Sequence, residues 1–391
     1  MKRIAIAGEI YSANVGDQAI HTCLSYILKK ADPSIEIISL DTSGRSSRVI
    51  PAAQPTLNQT VALLQSKPGL RLFFPAINFA YDLIKRRKRL ALWNPALRSA
   101  ALLVIGGGQL LMDDGLSFPL KLAGLVQAAQ ALGVPYTITA CGVGKSWSAA
   151  ARSLFRPMLA GARGITLRDP LSQERLGRFL PGLSSQVTFD PVIWAADVFS
   201  EAGSMQNSET IGLGVINRSE VNVHLEQSQR FTNDLWSELW TNLVDELLHT
   251  NHPVELFTTG SPVDREFAEK LLITAHERGW RRVGLAAQPV NPEMLISSLQ
   301  KYGLVVAGRL HAALLANAVG ISTIGLAWDK KVKAYYGLTR RTDLCFDLAS
   351  LHPFEVAKTC AAIFGQPFPK KEIEEFKARS FEDARIILEE I

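Results

Sequence analysis

Short apolar runs rich in Val, Ile and Leu alternate almost from end to end with longer segments whose apolar residues recur every three or four positions. The first pattern predicts buried strands, the second amphipathic helices, and their alternation predicts parallel sheets wrapped by helices. In the first half the predicted strands are Arg3–Gly8, Ile35–Asp41, Ala101–Ile105, Tyr136–Ala140 and Gly164–Arg168. Between them, Asp17–Lys30 sets Ile20, Cys23, Leu24, Ile27 and Leu28 on one stripe, and Pro119–Leu132 reads as a helix stopped by Gly133. The polar stretch Ser200–Glu209 interrupts the pattern. Strands are then predicted at Thr210–Ile216, Val254–Thr259, Val283–Ala287, Leu304–Ala307 and Ser322–Ala327, with helices at Thr232–Thr250, Pro262–Gly279, Pro292–Tyr302 and His311–Val319. The expected fold class is α/β with two Rossmann-like domains facing a cleft, over residues 1–199 and 210–369, followed by a charged C-terminal helix over 370–391.

One segment breaks the alternation. Residues 42–99 are too many for a connection and hold five prolines, Pro51, Pro55, Pro68, Pro75 and Pro95, so they read as an insertion. Phe73, Phe74, Phe79, Tyr81 and Trp93 flank the basic run Lys85-Arg86-Arg87-Lys88-Arg89. Rings beside clustered positive charge can rest on an anionic membrane surface, which makes 70–93 a candidate peripheral membrane contact. A solvated basic helix packed on its own domain accounts for the same residues.

A chain of 391 residues suits two cores, and 47% hydrophobic against 20% charged residues excludes a disordered chain. The formal net charge of +5 suits an anionic ligand without requiring nucleic acid, and none is expected as a partner. Cys23, Cys141, Cys345 and Cys360 form no Cys-x-x-Cys pair, so the expectation is buried free thiols and no metal site. Met-Lys-Arg runs straight into a strand without a secretory signal pattern. The longest uncharged stretch, between Lys121 and Lys145, is broken by Gln127, Gln130, Gly133 and Pro135. A cytoplasmic protein is expected, at the inner face of the plasma membrane where the insertion makes its contact.

Parallel α/β sheets bind ligands at the carboxyl ends of their strands, so the residues just after each strand carry the candidate chemistry. Asn14-Val15-Gly16-Asp17 permits a tight turn into a helix whose N–H groups can hold an anion or a hydroxyl, and Asp17 can equally cap that helix. Gly106-Gly107-Gly108 lets a ligand or a neighbouring backbone approach closely, but forms neither a dinucleotide nor a Walker motif. Arg168 stands at a strand end and can face a ligand or pair with Asp169, itself a cap or turn residue before Pro170. Arg309 can fork onto a carboxylate or phosphate, and His311 can transfer a proton or serve only as a hydrogen-bonding residue at a helix start. Lys330 and Lys333 can add positive charge to the same face, while Lys331 reads as part of a solvated surface run.

Taken in order, Asn14-x-Gly16-Asp17-x-Ala19, Gly106-Gly107-Gly108, Arg168-Asp169 with Ser172, Asp190-Pro191, and Arg309-Leu310-His311 with Ala316, Gly320 and Lys330 resemble the polysaccharide pyruvyl transferase family over roughly residues 3–340. The sequence departs from the family pattern at Gln18, at Trp328 and in the 42–99 insertion. The resemblance implies a fold like that of GT-B glycosyltransferases. It also implies transfer of the carboxyvinyl unit of phosphoenolpyruvate to sugar hydroxyls of a glycan or its lipid-linked precursor, giving a pyruvate ketal. It makes Arg168 and Arg309 the clamps for the donor's carboxylate and phosphate, with Asn14 and Gly16 at the donor and His311 the proton donor. Asp17 is the candidate base, and Gly107, Gly108, Lys330 and Lys333 are further candidates. Phosphoenolpyruvate enters as substrate, and neither a cofactor nor a metal is implied. The alternatives weighed are a GT-B glycosyltransferase using a nucleotide sugar and a non-catalytic carbohydrate-binding protein.

Overall fold

Each of the ten predicted strands forms within two residues of its expected bounds, and two short edge strands join them. The computed structural model describes residues 2–47, 74–199, 208–222, 225 and 230–389. Six strands build the first sheet: β1 (Arg3–Gly8), β2 (Glu36–Asp41), β3 (Leu102–Gly106), β4 (Tyr136–Cys141), β5 (Ile165–Leu167) and β6 (Gln186–Val187). Their order is β2-β1-β3-β4-β5-β6, and every neighbouring pair is parallel. The second sheet runs β12-β11-β10-β7-β8-β9, also wholly parallel, from β7 (Ile211–Gly214), β8 (Val254–Phe257), β9 (Val283–Leu285), β10 (Leu304–Ala307), β11 (Thr323–Ala327) and β12 (Cys345–Asp347). Every residue of β3, β4, β10 and β11 is buried, as expected for strands covered on both faces, and this is why these runs show no polar alternation. The strand order reverses between β1 and β3 and again between β7 and β10, the crevices where open α/β sheets bind ligands.

The chain divides into two compact units: residues 1–13, 20–191 and 378–391 form one, and residues 14–19 and 192–377 the other. The division falls at Pro191 rather than in the polar stretch 200–209, because the short helix Ala195–Phe199 packs on the helix Pro292–Leu299 of the second unit. Residues 200–207 lie outside the described residues. The C-terminal helix forms over Lys370–Glu389, and its second half, from Ala378, belongs to the first unit, where Asp383 accepts a hydrogen bond from the Thr166 hydroxyl at 3.0 Å.

Helix α1 (Val15–Ala31) begins two residues before the expected start, since Asn14 rather than Asp17 caps it, its Oδ1 accepting the Gly16 N–H at 3.2 Å. Asp17 falls in the first turn, where a negative charge complements the helix dipole. At the glycine turn after β3, two of the three glycines are packed against α1. Gly107 has φ +74°, and a Cβ there would meet Ile20 Cγ2 at 1.9 Å; a Cβ on Gly106 would meet Leu24 Cδ2 at 2.6 Å. Helix α1 therefore lies directly on this turn.

Of the insertion, residues 48–73 lie outside the described residues, with Pro51, Pro55 and Pro68 and the first part of the expected 70–93 contact. After the described turn residues 42–47, the remainder is one helix, α2 (Phe74–Ser99), packed on α3 (Ser117–Ala131). Trp93 and Leu97 are buried, and the Trp93 indole donates to the Asp41 carbonyl at 3.0 Å. Arg89 pairs with Asp82 and lies over the Trp93 ring at 5.6 Å. All four cysteines are free thiols; three are buried and Cys345 partly so.

Candidate active site

The second unit gathers most of the candidate residues at its switch point. Beyond β7 and β10 the chains stay side by side: the Gly308 N–H donates to the Gly214 carbonyl at 2.9 Å, and a Cβ on Gly308 would approach that oxygen to 2.6 Å. Arg309 follows in extended conformation as the residue that enters helix α11 (Leu310–Ala318). Its Nε and Nη2 both lie 2.7 Å from Asp264 Oδ2, and its Nη1 lies 3.3 Å from Glu220 Oε2. Asp264 is fully buried in the first turn of the helix Pro262–Glu277, where its Oδ1 accepts the Asn217 N–H at 2.8 Å. Burial alone would lower the Arg309 pKa, but the Asp264 and Glu220 carboxylates outweigh it and hold the pKa above the ordinary arginine value. Arg309 is thus a fixed, permanently charged fork.

His311 sits in the first turn of α11, half-buried, against the start of α1. The Val15 N–H donates to the Thr259 carbonyl at 2.9 Å, just past β8, and brings Gly16 under the imidazole. A Cβ on Gly16 would lie 2.7 Å from Cβ, Cγ and Nδ1 of His311. Asn14, Gly16, Asp17, Arg309 and His311 therefore belong to one unit. Trp328, after β11, closes the turn from the other side by donating its indole N–H to the Gly308 carbonyl at 2.7 Å.

The two candidate lysines differ. Lys330 is exposed at the first position of the helix Lys330–Leu338, whose cap is Asp329. Lys333 is half-exposed and pairs with Asp347 Oδ2 at 2.6 Å, so its charge is taken up at the sheet edge. Lys331, expected to be merely solvated, lies over the Trp328 ring at 4.7 Å.

Arg168 belongs to the first unit, just beyond β5, and is 6% exposed. Its Nε lies 3.3 Å from Asp169 Oδ2 and its Nη1 3.7 Å from Asp190 Oδ2. Asp169 fills both roles open to it, because its Oδ1 also caps the helix Pro170–Phe179 through the Ser172 N–H at 2.7 Å. The guanidinium rests on Gly142: a Cβ there would stand 2.9 Å from Nε and Nη2.

Sequence reasoning missed Asp264, Glu220 and Gly142. Asp264 and Glu220 are 45 and 89 residues from Arg309, and only the fold juxtaposes them. It also missed a network at the carboxyl ends of β1 and β2. There Glu9 accepts from Arg45 Nη2 at 2.7 Å and lies 3.3 Å from Lys121 Nζ, and Arg45 also pairs with Asp41 at 2.8 Å. The strand-end rule applied to Glu9, the first residue after β1, would have found it.

Chemically, each guanidinium faces two carboxylates that fix its plane, and an imidazole stands two residues from one of them. Within the second unit, Arg309 with His311 can hold an oxyanion and deliver a proton. Among the described residues no group of three or more His, Cys, Asp or Glu is arranged to hold a metal ion.

Two wholly parallel six-stranded sheets with interleaved helices define a two-domain α/β protein of the GT-B type. Solved structures share this fold at low sequence identity. The UDP-GlcNAc 2-epimerase from Methanocaldococcus jannaschii superposes with a TM-score of 0.59 at 10% identity, covering 99% of each chain. The S. aureus MnaA–UDP co-structure superposes with a TM-score of 0.55 at 11% identity, covering 99% of this chain and 94% of the other. No curated protein matches the chain. The model of the polysaccharide pyruvyl transferase family matches residues 14–330, and the chain belongs to that family of transferases.

Proposed function

We propose that this transferase moves the carboxyvinyl unit of phosphoenolpyruvate onto two hydroxyls of a sugar in a cell-surface glycan or its lipid-linked precursor, leaving a pyruvate ketal. The observation that carries this reading is the seating of His311 on Gly16 two residues from the Asp264-held Arg309, in a chain of the pyruvyl transferase family. In this reading Arg309 and Arg168 hold the donor's phosphate and carboxylate, and Asn14 and Gly16 line its place. Protonated His311 gives its proton to the methylene carbon, which makes the neighbouring carbon an oxocarbenium-like centre. A sugar hydroxyl attacks that carbon and loses its proton to a base, for which Asp17 is the candidate. Phosphate then leaves with the C–O bond electrons, and the second hydroxyl adds and loses its proton to close the ketal. The two guanidinium groups, each held by carboxylates, act as oriented hydrogen-bond donors to the donor's oxygens, and preorganised donors of this kind contribute on the order of a few kcal/mol each.

The test mixes purified protein with phosphoenolpyruvate and a panel of sugar acceptors. The expected result is release of inorganic phosphate in step with a pyruvate ketal on the sugar. Full activity in a folded His311→Ala variant would refute the assigned acid. Saturable binding of a nucleoside diphosphate, with no turnover of phosphoenolpyruvate on any acceptor, would overturn the reading.

A further inference from the structure

Twelve large apolar side chains are exposed among the described residues, and six of them lie on helix α2: Ile77, Phe79, Tyr81, Leu83, Ile84 and Leu92. Ile84 is 75% exposed. Ile77, Tyr81, Ile84 and Lys88 follow one another at steps of four, three and four, so they form a single line along the helix. The helix is not loose. Its C-terminal half is anchored by buried Trp93 and Leu97, and near its N-terminus the Asn78 amide donates to the Gly115 carbonyl at 2.7 Å. Exposed apolar side chains on so firmly tied an element mark an interaction surface.

The charge on the same helix selects the partner. Residues 74–99 carry six basic residues and one acidic, a net of +5 that equals the formal charge of the whole chain. The single acid, Asp82, is already paired with Arg89. Arg87 and Lys88 are exposed next to the apolar line, while Arg86 turns toward α3, its Nη2 donating to Gln127 Oε1 at 3.0 Å. A second copy of the chain meeting this face would bring like charges together, whereas a sheet of lipid phosphates over acyl chains complements both the charge and the apolar line. No described helix is long and apolar enough to cross a membrane, so a bilayer contact made by α2 would have the helix lying in the membrane plane. We propose that α2 docks the first unit on an anionic bilayer surface, with Ile77, Tyr81 and Ile84 entering the interface and Arg87 and Lys88 contacting lipid phosphates.

The experiment is co-sedimentation of the full chain with vesicles of phosphatidylglycerol and phosphatidylcholine, beside vesicles of phosphatidylcholine alone. Binding is expected only to the anionic vesicles and is expected to weaken as salt rises. The double variant Arg87→Gln, Lys88→Gln should lower partitioning on the order of thirtyfold. The double variant Ile77→Ser, Ile84→Ser should also lower it at unchanged charge. Both substitute exposed positions, so an unchanged thermal midpoint is expected to confirm folding. Inorganic phosphate at matched ionic strength should leave the protein bound; release by phosphate would assign the basic cluster to a free anion and overturn the proposal. So would equal binding to neutral vesicles, no binding to either, or unchanged binding in both variants. A solution dimer that Ile77→Ser, Ile84→Ser dissolves would assign the face to a second copy, with the same consequence.

Discussion

Gly16 leaves the space that the His311 imidazole fills, with the position of its missing Cβ only 2.7 Å from Cβ, Cγ and Nδ1 of the histidine. The nearest atoms include His311 Cβ, which cannot swing away as the tip of a long side chain can. Gly16→Ala must therefore shift either the start of α1 or the histidine. A displacement of about 1 Å at a reacting group costs on the order of a hundredfold in rate. The expected outcome is a fall of that size in phosphate release from phosphoenolpyruvate, with a thermal midpoint close to the parent's. Unchanged turnover would show that the seat of the imidazole has no bearing on the chemistry.

Arg309 owes its orientation to Asp264, whose Oδ2 takes both Nε and Nη2, more than to the half-exposed Glu220. Asp264→Asn is expected to lower kcat/KM for phosphoenolpyruvate by on the order of a hundredfold to a thousandfold. Arg309→Lys should not restore it, since an ammonium cannot fork. Glu220→Gln, with a side chain 43% exposed, should cost less than about tenfold. Steady-state kinetics on the three variants decide the matter, and equal losses from Asp264→Asn and Glu220→Gln would rule out the orienting role of Asp264.

Much of this architecture can be read from the chain because the strands that matter are buried on both faces: uninterrupted runs such as Leu304–Ala307 have one physical interpretation. The edge strands Gln186–Val187 and Cys345–Asp347 are too short and too polar to announce themselves. At the site, Arg309 and His311 are legible because they follow a strand and open a helix. Asp264 and Glu220 are not, since local pattern carries no information about partners 45 and 89 residues away. Gly142 and Gly16 are legible as glycines but not as seats, because what a missing Cβ makes room for depends on the tertiary contact. Gly106 and Gly107 show the converse: a turn that reads as open to a ligand or a neighbouring backbone has Leu24 and Ile20 of α1 packed against these two positions.

Glu9 ties the ends of β1 and β2 to α3 through Arg45 and Lys121. Burial by itself would raise its pKa, but Lys121, Arg45 and the Thr42 and Ser43 hydroxyls bring it from 4.5 down to about 2. The stabilisation is therefore complete above pH 4.5 and is lost as pH falls toward 2. Glu9→Gln is expected to cost about 3 kcal/mol at neutral pH, measured by urea unfolding, and to remove most of the parent's loss of stability across that acid window. A variant that unfolds in acid along the parent's own curve would show that other carboxylates govern the transition.

Asp383 presents the opposite sign. It is buried where the C-terminal helix joins the first unit, and its Oδ2 accepts from the Thr166 hydroxyl, whose oxygen in turn accepts the Ala140 N–H at 3.0 Å. Ala140 has φ +50°, a left-handed conformation that costs a residue with a Cβ, so this chain of bonds holds a strained point of β4. Burial raises the Asp383 pKa from 3.8 to about 7, with only the Thr166 bond acting against it. The folded protein then keeps its proton through a range where the unfolded chain has lost it. Stability is accordingly greatest below pH 3.8 as far as this group is concerned, falls as pH rises to about 7, and is level above that. Asp383→Asn keeps an acceptor for Thr166 and cannot ionise, so between pH 5 and pH 8 its thermal midpoint should decline less than the parent's. At pH 8 the variant should be the more stable of the two, by on the order of a few kcal/mol. Parallel midpoint curves, or a variant less stable than the parent at pH 8, would mean that Asp383 is ionised in the folded protein and that the strained turn at Ala140 is held by a charged partner instead.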